Sequence, residues 1–241
     1  MLFSLRLAYA MTTRDDHLFA AKLAETAERY DEMQEAMRSV VLADAKLNAE
    51  ERSLFSAAYK HVAASRRSTA RMISDLENKE SDSTNKGKIK EYRDKVETEL
   101  EQICNDAIEL MDKHLIPACP DAEAKVFFYK LKGDYWRYLA EFHKDEKRQA
   151  DCDKGMESYT EAKAACAELD KTNALRLGLA LNMSVFYYEI LQDQEKAIAL
   201  AQEAFDEAVD EMDNLSESAY KESSSILQLL RDNLAQWQKA E

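Results

Sequence analysis

Apolar residues recur at three- and four-residue spacing along nearly the whole chain, the period of an α-helix with one buried face. In "RLGLALNMSVFYYEIL" (176–191), Leu177, Leu181, Val185 and Tyr188 fall on one stripe, with Asn182 beside it. In "SSILQLLRDNLAQW" (224–237), Ile226, Leu229, Asn233 and Trp237 do the same. The pattern breaks at polar stretches: "LADAKLN" near 45, "ENKESDSTNKGK" at 77–88, "LIPACPDAE" at 115–123, "ELDKTN" at 168–173, "LQDQE" at 191–195 and "DNLSES" at 213–218. Pro117 and Pro120 make the firmest stop, because proline lacks the N–H a helix interior needs. Asn48 with Glu51, and Ser216 with Glu222 nearby, resemble helix-start chemistry. No gap is long enough for an interdomain linker, and no 34-residue repeat is evident. The expectation is an all-α single domain of about nine antiparallel helices joined by short loops.

Composition narrows this further. Only four glycines and two prolines occur in 241 residues, which disfavours hairpin-rich, doubly wound and phosphate-loop folds, since all need such residues. Lys plus Arg number 33 against 47 Asp plus Glu, a formal charge of −14. Nucleic acid or an anionic membrane surface is therefore disfavoured as the main partner. No apolar run approaches the ~18 residues of a membrane span. Cys104, Cys119, Cys152 and Cys166 show no C-x-x-C spacing and are read as free thiols in a reducing compartment, cytoplasmic and also nuclear. The first residues, "MLFSLRLAYAM", end an apolar run in Ala8-Tyr9-Ala10 but lack a basic start, and Arg6 interrupts the run. Residues 1–16 are read as an N-terminal extension, disordered or of cloning origin, before a helical domain over 17–238.

Against the acidic background, "AYKHVAASRRSTARM" (58–72) carries Lys60, Arg66, Arg67 and Arg71 without an acid. An α-helix advances about 100° per residue. With Lys60 at zero, Arg67 falls at about −20° and Arg71 at about +20°, whereas Arg66 falls at about 240° and is expected on solvent. Such a stripe is ordinarily a solvated face paired with acids on a neighbouring helix. A second stretch, "KVFFYKLKGDYWRYLAEF" (125–142), repeats the spacing. Lys130 and Arg137 share a face, Asp134 lies between them, and Tyr138 flanks Arg137. Asp134 is placed at i,i+3 to brace the guanidinium. Two arginine forks, a lysine and a phenol suit a tetrahedral dianion, and a phosphoserine or phosphothreonine carries about −1.5 to −2 charge. Charge-assisted bonds of roughly 1.5–3 kcal/mol each would supply most of a micromolar affinity from three or four contacts.

The two apolar stripes read most simply as core. The asparagines beside them are what core packing leaves unexplained, because buried amides need partners and a side-chain amide can pair with an extended backbone. A basic end, amide rungs and an apolar wall together describe a groove for a phosphorylated peptide.

These stretches, with "KLAETAERYDEM" (22–33), "YKHVAASRRS" (59–68), "EYRDKVETELEQICND" (91–106), "KLKGDYWRYLAE" (130–141) and "LQLLRDNLAQW" (227–237), occur in the order of family signatures. Over residues 18–238 the chain resembles the 14-3-3 family of phosphopeptide-binding adaptors, as a divergent member. The resemblance implies a dimer of cup-shaped, nine-helix protomers, each with an amphipathic groove, forming a homodimer or a heterodimer with a paralogue. It implies phosphate binding by Lys60, Arg67, Arg137 and Tyr138, with Arg71, Lys130 and Asp134 in support. Asn182 and Asn233 would hold the peptide backbone, and Leu181, Val185, Leu229 and Trp237 would form the apolar wall, with Glu189 nearby. Arg29 and Glu32 of one chain would pair with Glu99 and Lys95 of the other, and Tyr92 would pack there. Leu23, Ala27 and Tyr30 would carry most of the association, because isolated surface ion pairs contribute only ~0–1 kcal/mol. Thr69 stands where the family often has a regulatory serine near the dimer interface.

The chain departs from the family pattern in ways that bear on its groove. Ser225 and Gln236 stand where the family usually has leucine, which makes the apolar wall more polar; separately, His61 replaces a common asparagine, Phe55 a leucine and Ala70 a tryptophan. Enzyme chemistry has no signature here. The histidines at 17, 61, 114 and 143 are scattered, and no H-E-x-x-H, G-x-G-x-x-G or G-x-S-x-G occurs. Neither a metal nor a cofactor is expected. The reading is an adaptor that docks phosphorylated client proteins. The alternative is a helical scaffold that binds unphosphorylated amphipathic segments through the apolar wall.

Overall fold

In the computed structural model, residues 13–239 are described; the part of the expected extension that covers residues 1–12 lies outside them. Nine α-helices and no strand occur among the described residues, so the chain is all-α. Contacts divide the chain into two compact units, Met1–Ala118 and Cys119–Glu241. The division falls between Pro117 and Pro120, at the firmest stop in the sequence.

The first unit holds α1 (Arg14–Thr26), α2 (Tyr30–Ala43), α3 (Ala49–Lys79) and α4 (Ser83–Leu110), the last running into a π turn, Met111–Leu115. Helix α1 begins three residues before the expected domain start. Thr13 fixes that start through a capping box: its hydroxyl oxygen accepts from the Asp16 amide at 3.2 Å, and Asp16 accepts from the Thr13 amide at 3.1 Å. Asn48 and Glu51 form the corresponding box at the head of α3. Met33, Met37 and Val40 on α2, Phe55, Tyr59 and Val62 on α3, and Leu100, Cys104 and Met111 are all buried.

The second unit holds α5 (Ala122–Phe142), α6 (Asp145–Ala165), α7 (Ala174–Val185), α8 (Gln194–Val209) and α9 (Glu217–Trp237). Helix α7 continues through a π turn, Phe186–Ile190. One apolar cluster gathers Val126, Ala140, Cys152, Tyr159, Leu179, Met183 and Phe186 from α5, α6 and α7. Another gathers Leu177, Ala197, Ala201, Leu227, Leu230, Leu234 and Trp237 from α7, α8 and α9.

The breaks differ from expectation in three places. The polar stretch at 77–88 is helical except at residues 80–82, because Asp82 caps α4 by accepting from the Thr84 and Asn85 amides, both at 2.9 Å. The chain also turns at Glu28 and Asp145, where the sequence pattern shows no break. Both take left-handed backbone, with φ of 55° and 51°, a conformation usually signalled by glycine or asparagine. No helix among the described residues is long and apolar enough to cross a membrane.

Candidate functional site

Helix α3 carries the first basic stripe. Lys60 and Arg67 are half-buried and Arg71 is exposed. Arg66 is not on solvent as its angle suggested. It turns toward the neighbouring helices of its own unit and pairs with Asp31 at 2.8 Å and Glu99 at 3.5 Å. Acids on adjacent helices thus claim the member of the arginine doublet that lies off the stripe. Thr69, half-buried on the same helix, donates its hydroxyl to the Ser65 carbonyl at 2.8 Å.

In the second unit a buried carboxylate organises the second basic group. Asp134, only 1% exposed, accepts from the Tyr159 hydroxyl at 2.8 Å. Asn182 donates its Nδ2 to both Asp134 oxygens, at 2.7 and 2.9 Å. Arg137 Nη2 lies 3.5 Å from Oδ1 and Lys130 Nζ lies 3.7 Å from Oδ2. Helical spacing puts Lys130, Asp134 and Arg137 together; α6 and α7 bring the phenol and the amide. On its other side Arg137 approaches Glu141 at 3.8 Å, and its guanidinium carbon stands 4.9 Å from the centre of the Tyr138 ring. Burial works against the Arg137 charge, but Tyr159, Asp134 and Tyr138 outweigh it and hold its pKa above the ordinary value. Of those groups only Asp134 is charged at neutral pH, so the carboxylate keeps this arginine cationic in a dry setting. The Arg137 Nε–H is buried and has no acceptor among the described residues.

The apolar stripes lie beside these groups in the second unit. Leu181 and Val185, half-buried, pack on the cluster that contains Trp237, and the Trp237 ring stacks on Tyr188 with centres 4.7 Å apart. The core face of α9 runs through Leu227, Leu230, Leu234 and Trp237, one position off the expected stripe. Leu229 is consequently 52% exposed. Asn233 is half-buried, and Glu189 is exposed. Asn182 is explained at one end: its NH₂ group is committed to Asp134.

The residues assigned to association lie in the first unit. Arg29 donates to Glu32 of its own chain, with Nε 2.8 Å from Oε2. Tyr92 and Lys95 are exposed on α4, and Glu99 takes part in the Arg66 pair. Leu23 and Ala27 are exposed, while Tyr30 is half-buried and stacks on His61 at 3.9 Å between ring centres. Phe19, one turn before Leu23, is 69% exposed and extends that apolar surface. The sequence reading passed over it.

It also passed over Tyr159 and Gly133. A Cβ on Gly133 would stand 2.6 Å from the Tyr159 ring, so the glycine is what lets the phenol reach Asp134. An isolated glycine in the middle of a strongly helical run was the signal.

A protein-family model described as "14-3-3 protein" matches residues 20–238. The "Checkpoint signal transducer rad24" of Schizosaccharomyces pombe is 54% identical over 230 residues, covering 94% of this chain and 85% of that protein. The "14-3-3 family protein artA" of Aspergillus flavus is 50% identical over 231 residues, covering 94% and 97%. The "14-3-3-like protein B" of Vicia faba is 50% identical over 228 residues, covering 93% and 87%. The chain belongs to the 14-3-3 family, whose members are client-binding adaptors and not enzymes.

Proposed function

We propose that the protein docks clients through phosphoserine or phosphothreonine. The observation that carries this reading is the Arg137 guanidinium: buried, held cationic, and left with an N–H donor that finds no acceptor among the described residues. Buried donors are almost always paired, and an oxyanion ligand is the partner that would use this one.

A charge balance extends the reading. Lys130 and Arg137 are offset by Asp134 and Glu141 within their own cluster, so that cluster by itself presents no net positive charge. A dianion needs further cations. In this reading Lys60 and Arg67 of α3 act on phosphate with Arg71 in support, and so do Arg137 and Tyr138 of α5. Asn182 then uses its remaining amide oxygen, and Asn233 its amide, on the client backbone. Leu181, Val185, Leu229 and Trp237, with Glu189 beside them, meet the client side chains. The protein acts as a dimer through Phe19, Leu23 and Ala27, in the cytoplasm and nucleus.

Fluorescence polarisation with a generic R-S-x-pS-x-P peptide and its unphosphorylated twin tests this. The phosphorylated form is expected to bind and the twin to lose at least ~100-fold, as a group making two or more charge-assisted bonds should. Equal affinity would overturn the reading. Arg137→Ala and Arg67→Ala should each nearly abolish phosphopeptide binding. The exposure of Leu229, together with Ser225 and Gln236 nearby on α9, favours the second reading, docking of unphosphorylated amphipathic segments. There Leu229→Asp removes binding while Arg137→Ala and Arg67→Ala leave it intact.

A further inference from the structure

Asp134 is short of neither donors nor attraction. Lys130 and Arg137 lie within 4 Å of it, yet neither of these two closes to the 2.7–2.9 Å of a strong charge-assisted bond. Neutral donors come closer than either: the Tyr159 hydroxyl on Oδ1 and the Asn182 amide on both oxygens. The same hydroxyl also interacts with the Arg137 guanidinium. A carboxylate accepts about four hydrogen bonds, so each position filled by a neutral donor is one the guanidinium does not take.

We propose that Tyr159 is a positioning residue for phosphate recognition: its hydroxyl satisfies the buried Asp134 carboxylate and thereby spares the Arg137 N–H groups for an external anion. The inference rests on the phosphopeptide reading above. Tyr159 is fully buried, and burial first, then the charge of Asp134, pushes its hydroxyl well above the ordinary tyrosine range. It therefore stays protonated and remains a donor at any physiological pH. Gly133 belongs to the device. A methyl group there would stand 2.6, 2.7 and 2.8 Å from three carbons of the Tyr159 ring, and the ring, locked against Phe186 with centres 5.5 Å apart, has little room to yield. Without the hydroxyl, Oδ1 has a vacant position, and Arg137 Nη2 needs to move less than 1 Å to fill it. The guanidinium would then be paired internally, and a ligand phosphate would have to break that pair before binding.

The test titrates the phosphorylated peptide and its unphosphorylated twin into the wild-type chain, Tyr159→Phe and Gly133→Ala, with thermal melting of each protein. Tyr159→Phe is expected to weaken the phosphorylated peptide about tenfold, the worth of one charge-assisted bond, and to leave the twin unchanged. Gly133→Ala, where it folds, should lose the same phosphate-specific share, and the double variant should be no weaker than Tyr159→Phe alone. Tyr159→Phe binding like wild type would overturn the inference and leave the adaptor reading standing. Equal losses for both peptides, or a collapsed melt, would make Tyr159 merely structural and overturn it too. Wild-type protein indifferent to the phosphate would remove the adaptor reading, and the inference with it.

Discussion

Glu51→Gln is expected to loosen α1 while leaving the rest of the first unit folded. Helix α1 buries only Ala21 and Ala24, so its apolar hold is small: a methyl group apiece, ~0.8 kcal/mol each. Its main tether is polar. Arg14 donates two bonds to Glu51, Nη1 to Oε1 at 2.9 Å and Nη2 to Oε2 at 3.0 Å, and Glu51 is 5% exposed. Breaking a buried pair by removing one charge costs about 3–5 kcal/mol. The Arg14 side chain is 23% exposed and can turn to water, and glutamine keeps one oxygen for the guanidinium and the Asn48 amide. The loss should therefore be about 1.5–3 kcal/mol, roughly a 10- to 100-fold rise in local opening. Amide hydrogen exchange reads this directly: residues 17–26 should exchange faster by that factor, while the buried middle of α3 changes little. The pH dependence has a defined sign. The hydrogen bond from Arg14, opposed by burial, holds the Glu51 carboxyl below its ordinary value of 4.5. The tether is thus complete above about pH 4.5 and is lost as pH falls through the depressed value. The wild-type advantage over Glu51→Gln should shrink in that acid window and stay constant above it. Identical exchange of α1 in the two proteins near neutral pH would refute the argument, since it would show that the two alanines suffice.

Because the second phosphate pKa is ~6, phosphopeptide affinity should decline as pH drops below that value; a profile flat to pH 5 in the polarisation assay would contradict dianion recognition. Thr69→Glu, which places charge on the half-buried face of α3, is expected to shift dimer toward monomer in dilute sedimentation runs, and a protein that stays dimeric at nanomolar concentration would count against a modification role for Thr69. Glu51→Gln should also weaken any dimer severalfold, because α1 carries Phe19 and Leu23, and unchanged sedimentation would dissociate α1 anchoring from association.

What the sequence made legible follows the range of the interactions. Lys130, Asp134 and Arg137 are neighbours by helical arithmetic alone, and their cluster could be written down from spacing. Tyr159 and Asn182 reach Asp134 from 25 and 48 residues away, through the packing of α6 and α7, and no local pattern encodes that. Arg66 shows the same limit from the other side: the angle set it apart from Arg67 and placed it on solvent, but its environment was decided by Asp31 on α2 and Glu99 on α4. The turns at Glu28 and Asp145 were hidden because Glu and Asp occupy left-handed backbone there, where the usual signals are glycine and asparagine. Gly133 spoke the opposite way. Its cost of about 1 kcal/mol relative to alanine in a helix interior buys no turn, so it had to mark a close approach, and the ring it admits is the one that completes the Asp134 network. The bearing on function is that Asp134 joins the residue proposed for phosphate to a residue proposed for the client backbone. A single buried charge sets both Arg137 and Asn182, so a client that displaces either one changes the hydrogen bonding of the other.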